Sequence, residues 1–186
     1  MSKKGFEVGI SFFVTLIIAL VIFGFAMSFA FRFFGKAKEY QRELDQNTRA
    51  QLESLIINSG DRVAVYPTQT ELHSGETEVA GLGILNVLNT ATENTFILEV
   101  NCTKWIKTEG TAADDDETKT ECAKIKLVYL SEYTIKNNDN IITSIAIKNT
   151  GADRGTYIID ARVTTPDAEG VTQVYGGVQK IYLKSI

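Results

Sequence analysis

Between Val8 and Phe31 the chain runs about 24 residues, VGISFFVTLIIALVIFGFAMSFAF, without a charge. At about 1.5 Å of rise per residue this is roughly 36 Å of helix, longer than a hydrocarbon core of about 30 Å. A lone span in lipid must satisfy its own backbone hydrogen bonds, so the stretch is expected to be a retained transmembrane helix. A cleaved secretory signal would have a shorter apolar core of roughly 7–15 residues and a small-residue cleavage site. Arg32-Phe33-Phe34-Gly35-Lys36 follows instead.

The helix is expected to continue past the span. Lys36 to Ile57 is rich in helix formers and contains neither proline nor glycine. Tyr40, Leu44, Leu52, Leu55 and Ile56 recur at three-to-four spacing and give a narrow apolar stripe for helix packing. Asn58-Ser59-Gly60 reads as the stop. A continuous rod from Phe6 to Ile57 would be roughly 78 Å long.

After Gly60 the period changes. Arg62–Pro67 reads as a strand, and Val79–Leu88 as an apolar, glycine-bearing strand of undecided facing. Phe96, Leu98, Val100 and Cys102 alternate with Ile97, Glu99 and Asn101 as in a half-buried strand, and Tyr157, Ile159, Ala161 and Val163 line one face of another. Ile125–Tyr129, Ile141–Ile147 and Val178–Ile186 complete the set, while Glu109–Glu121 reads as an acidic loop. Seven or eight short strands separated by turns imply an antiparallel sandwich. The expected fold class is therefore α+β, a long transmembrane helix continuing into an antiparallel immunoglobulin-like β-sandwich. Its expected parts are a basic leader (1–5), the transmembrane helix (6–34), an amphipathic extension (35–60) and an extracytoplasmic sandwich (61–186).

Few candidates for chemistry emerge. His73 is the single histidine and lies in a turn sequence, so it supports no zinc site. Asp114-Asp115-Asp116-Glu117 lacks the spaced ligands and turn glycine of a calcium loop and reads as a solvated run. No catalytic, cofactor-binding or metal-ligating set is expected, and therefore no enzyme. Asn101-Cys102-Thr103 is an N-glycosylation sequon whose asparagine alternation turns toward solvent; a chance match is the alternative. Cys102 and Cys122 permit one disulfide, worth roughly 3 kcal/mol by loop closure, with buried free thiols as the alternative. A Cys102–Cys122 hairpin would set Leu98 and Val100 on the face of Lys124 and Lys126, so a bulge or another pairing is needed.

Charge bears on partners. Asp and Glu outnumber Lys and Arg 23 to 19, with the basic excess in residues 1–49, which argues against nucleic acid. Arg32, Lys36, Lys38 and Arg42 outnumber Lys3 and Lys4, so the positive-inside count opposes an outside domain. The cysteines and the sequon favour one.

The Lys3-Lys4-Gly5 leader, the apolar helix directly behind it and the helical extension into a sandwich resemble archaeal type IV pilin-like and archaellum-related membrane proteins. The segment Ile145–Tyr157 resembles immunoglobulin-like modules of archaeal surface proteins. The resemblance implies peptidase cleavage between Gly5 and Phe6. It also implies a single-pass cell-surface protein with a cytoplasmic N-terminus and an extracellular C-terminal domain. Its expected role is a structural subunit, a homo-oligomer assembled through the helix. A membrane-anchored binding or accessory module, facing a surface-layer or other envelope protein, is the alternative.

Overall fold

A computed structural model of the chain describes residues 14–25, 27, 28, 46–58, 60–166 and 171–186. The chain divides into two compact units, Met1–Glu39 and Tyr40–Ile186. In the first, residues 14–25 are helical and expose apolar side chains such as Ile17, Leu20 and Phe23.

Among the described residues no helix is long and apolar enough to cross a membrane. This corrects the single-pass membrane assignment and the orientation built on it. The helix–sandwich fold class is corrected with it: the described structure is mostly strand, with short helices. Gly5, Phe6, Tyr40 and Leu44 lie outside the described residues.

The second unit is a two-sheet sandwich. One sheet has the order β1 (Val63–Tyr66), β3 (Thr77–Leu85), β7 (Asn140–Asn149), β5 (Ile125–Val128). The other has the order β2 (Gln69–Leu72), β10 (Gln179–Ser185), β8 (Gly155–Pro166), β4 (Glu93–Lys107), β6 (Glu132–Lys136), with β9 (Thr172–Val174) also on β8. All pairs are antiparallel except β2 with β10, which is parallel. The chain crosses from one sheet to the other at every step from β1 to β8, the first crossing coming at the cis Tyr66–Pro67 peptide, and stays in the second sheet from β8 to β10.

Alternation explains the core. Leu82, Ile84, Ile145 and Ile147 face Phe96, Leu98, Tyr157, Ile159 and Leu183 across the gap, and all are buried. The Tyr133 and Thr143 hydroxyls meet at 2.8 Å and link the two sheets through the interior.

β3 and β7 are buried on both faces, and a helix is the cause. α1 (Gln46–Glu53) and a following π-turn (Ser54–Asn58) place Leu52 and Ile56 on the outer face, where both are fully buried. They pack with Ala64, Leu85, Ile142 and the half-buried Leu55. Register sets Ala64 opposite Gly83 and Gly83 opposite Ile142. A Cβ on Gly83 would fall on Cδ1 of Ile56, so the glycine is the seat for the isoleucine. Gly60, at φ +73°, ends the helical segment in a conformation that favours glycine.

Gly83→Ala therefore destabilises the fold by about 1–3 kcal/mol through overpacking, and Ile56→Val by about 0.5–1.5 kcal/mol. Ile56→Val deletes the clashing methyl, so the double variant should cost less than the sum. A double-mutant cycle by urea unfolding checks this; strict additivity would mean that the two residues do not meet.

Candidate binding site at the disulfide-stapled end

β4 changes phase once. Phe96, Leu98, Val100 and Cys102 point inward, yet Trp105, not Lys104, is the next buried residue. The register with β8 slips between Cys102 and Lys104, a bulge that leaves Thr103 and Lys104 both exposed. This bulge, together with β5 pairing β7 rather than β4, removes the clash of faces expected for a simple hairpin.

Beyond Lys107 the chain turns at Gly110 (φ +85°) and doubles back, with the Ala113 amide donating to the Trp105 carbonyl at 3.0 Å. The acidic run then becomes a helix instead of a loop. Asp114 caps α2 (Asp115–Cys122): its Oδ1 accepts from the Glu117 amide at 2.8 Å, and Glu117 reaches back to the Asp114 amide at 3.4 Å. Acidic residues in a first turn are favoured by the helix dipole, so the charges nucleate structure here. Among the described residues no group fit to hold a metal ion is found. The last residue of α2, Cys122, is disulfide-bonded to Cys102, with 5.5 Å between their Cα atoms.

Glu121 is the hub of this end. Only 6% exposed, it accepts from the Asp153 amide at 2.8 Å, and its other oxygen pairs with the Lys124 ammonium at 2.5 Å. The buried Tyr157 hydroxyl lies 3.2 Å from Glu121 Oε2 and 2.9 Å from the Asp153 carbonyl, so one proton serves two acceptors. Burial pushes the Glu121 carboxyl up, but the Asp153 amide, Lys124 and Tyr157 outweigh it and hold it below its ordinary value. Burial, then the Glu121 charge, drives the Tyr157 hydroxyl well above its own. The Tyr157 ring stacks on Trp105 with centroids 6.1 Å apart. Trp105 Nε1 has no hydrogen-bond partner among the described residues. Gly155, at φ +152°, fits against it because a Cβ there would lie 2.5 Å from that nitrogen.

Asn149, also fully buried, holds the β7–β8 loop from the other side. Its Oδ1 accepts from the Gly151 and Ala152 amides at 3.0 and 2.9 Å, and its Nδ2 donates to Ser185 Oγ at 3.0 Å. Arg154 therefore sits on a loop fixed from two directions.

These supports frame a cleft of about 470 Å³ between the β2–β3 turn, the end of β10, the β7–β8 loop and the loop after β4. Its charged and titratable lining is His73, Lys107, Arg154 and Lys184; Ile106, Gly155 and Ile186 give it apolar walls. A hollow of about 440 Å³ over β2 and β10 adjoins it through Thr156 and Lys184.

Asn101 lies exposed on the outer face of β4, opposite Asp160 of β8, clear of the cleft. His73 is at the cleft rim, its amide donating to Glu76 at 2.8 Å. Leu52, Leu55 and Ile56 serve the helix seat described above. Sequence reasoning missed Lys107, Arg154 and Lys184, which only the fold brings together. It missed Glu121 too, since a glutamate beside a cysteine in an acidic run gives no sign of burial.

No protein-family model and no curated protein matches the chain. Among solved structures it is similar to the ASH/PapD-like domain 7 of human CEP192, at 15% identity, covering 68% of this chain and 86% of that one, TM-score 0.45. It is also similar to a FixG-related protein from Vibrio parahaemolyticus, at 8% identity, 66% and 94% coverage, TM-score 0.43. A third similarity is to the periplasmic chaperone SfaE, at 12% identity, 66% and 56% coverage, TM-score 0.37. The described fold is a two-sheet, mainly antiparallel β-sandwich, and with no helix among the described residues long and apolar enough to cross a membrane, the expected type IV pilin-like, archaellum-related assignment is corrected. The expectation of a pilin structural subunit falls with it.

Two outcomes follow at this end. The Glu121 carboxyl titrates lower folded than unfolded, so its contribution is complete above about pH 4.3 and is lost as pH falls through the lowered value. The melting difference between the wild type and Glu121→Gln should narrow in acid. Tyr157 is the reverse: held neutral when folded, it contributes below about pH 10 and loses that contribution as pH rises further. Tyr157→Phe should flatten the alkaline loss. Calorimetry from acid to alkaline pH reads both.

Reduction supplies another outcome. Opening a bridge across a separation of 20 residues costs about 3 kcal/mol on the chain-entropy model. A Cys102→Ser/Cys122→Ser variant compared with the wild type by urea unfolding measures it; no change would mean that α2 stays docked without the bridge.

Proposed function

We propose that this chain is a non-enzymatic binding or accessory module whose contact surface is the stapled end of the sandwich. The observation that carries this reading is the cation-lined cleft, whose walls are held by a disulfide, the buried Glu121 and the buried Asn149. Loops carry recognition best when a scaffold fixes them. Both cysteines are committed to the bridge and the single histidine sits on a turn at the rim, so the end is furnished for contact rather than for nucleophilic chemistry. A disulfide persists in oxidising compartments, so the expected partner is another protein there, such as an envelope protein. Nucleic acid is a poor fit to an acidic chain.

A photo-crosslinking residue at exposed Thr108, on the cleft, should give one discrete adduct in the native host. The same residue at exposed Thr134, on β6, should give none. Equal labelling from both positions, or none from Thr108, would overturn the reading.

A further inference from the structure

We infer that the cleft takes an acidic peptide segment, with a side-chain carboxylate seated on Arg154 and a neighbouring apolar side chain against Ile106 and Ile186. The inference rests on the binding-module reading and adds the chemistry of the occupant. Asp and Glu outnumber Lys and Arg in the chain, yet the charged side chains lining the cleft are Lys107, Arg154 and Lys184, with no side-chain carboxylate among the described lining. A cavity whose charged side chains are all cationic focuses field on anions even in an acidic molecule.

The three cations are not equally engaged. Lys107 pairs with Glu117 at 2.8 Å and Lys184 with Glu71 at 2.8 Å, both between partly exposed side chains. Pairs of this kind hold weakly and exchange partners readily. Arg154 makes no ion pair among the described residues, and its loop is pinned by Asn149, by Asp153 on Glu121 and by Thr108 on its own carbonyl at 3.3 Å. A guanidinium on a fixed loop presents a rigid fork that matches a carboxylate with two parallel hydrogen bonds. Ile106 lies on the same outer face of its sheet as Thr156 and Lys184, which are its register neighbours, so an apolar wall stands beside the cations. The adjoining hollow over β2 and β10, lined by Gln69, Tyr182 and Glu71, whose carboxylate is paired with Lys184, gives an extended peptide room to leave.

The test uses the full chain, ¹⁵N-labelled, titrated with two dipeptides blocked at both ends, acetyl-Leu-Glu-amide and acetyl-Leu-Gln-amide, which differ only in the side-chain charge. The glutamate peptide should give saturable shifts of the Gly110, Gly155 and Ile186 amides at about millimolar concentration, as befits a small ligand. The glutamine peptide should bind about tenfold more weakly, as should the glutamate peptide to Arg154→Gln. In that variant, unshifted Gly151 and Ala152 amides report an intact loop. Equal binding of both peptides makes the cleft an apolar slot and overturns the inference. So does an Arg154→Gln variant that binds like the wild type, or a glutamate peptide that shifts nothing. An adduct from Thr108 alongside a silent glutamate peptide removes the inference alone; loss of the adduct removes the reading beneath it.

Discussion

A carboxylate taken out of water must find donors, and the stapled end is arranged around that need. Glu121 stands at the last turn of α2, and the donors it requires come from Asp153, Lys124 and Tyr157, three separate parts of the chain. Removing one partner of such a group costs more than the group contributes over an apolar replacement. What it contributes is specificity of shape. The Asp153 amide can reach it only with the β7–β8 loop in one conformation, and that conformation is the one in which Asn149 is also satisfied. Both anchors are polar and buried, so Arg154 is placed by hydrogen bonds rather than by packing.

The sandwich was legible where strands have one wet face. β4 and β8 alternate in burial along most of their length, and their inward residues are part of the core. β3 was not, because α1 covers its second face and erases the polar half of the pattern. Gly83 looks like a flaw in a strand until Ile56 is set against it. The amphipathic stripe did point to a partner, and within the described residues that partner is the molecule's own sheet, met by Leu52 and Ile56.

Other failures have equally local causes. The acidic run reads as solvent-loving because its net charge hides a capping box, a two-residue device seen only when Asp114 and Glu117 are read as a pair. β2 is short, lies on an edge and pairs parallel to a strand 113 residues distant, as Glu71 and Lys184 show, so nothing nearby announces it. The long apolar stretch is the strongest pattern in the sequence, yet among the described residues no helix is long and apolar enough to cross a membrane. The cleft was illegible for a different reason. Its cations are scattered from Lys107 to Lys184, and only the crossing of four chain segments makes them neighbours.

The bridge between Cys102 and Cys122 closes a ring that contains the bulge, Trp105, the turn at Gly110 and most of α2. A covalent ring changes what breakage means. One peptide-bond nick anywhere inside it opens the ring but leaves the two pieces a single molecule, with the first ending before the nick and the second still moored through sulfur. Such a molecule keeps its full mass until a reductant is added, and only then separates. The exposed turn around Gly110, with its polar flanks, lies inside that ring, so its scission is one the molecule survives in one piece.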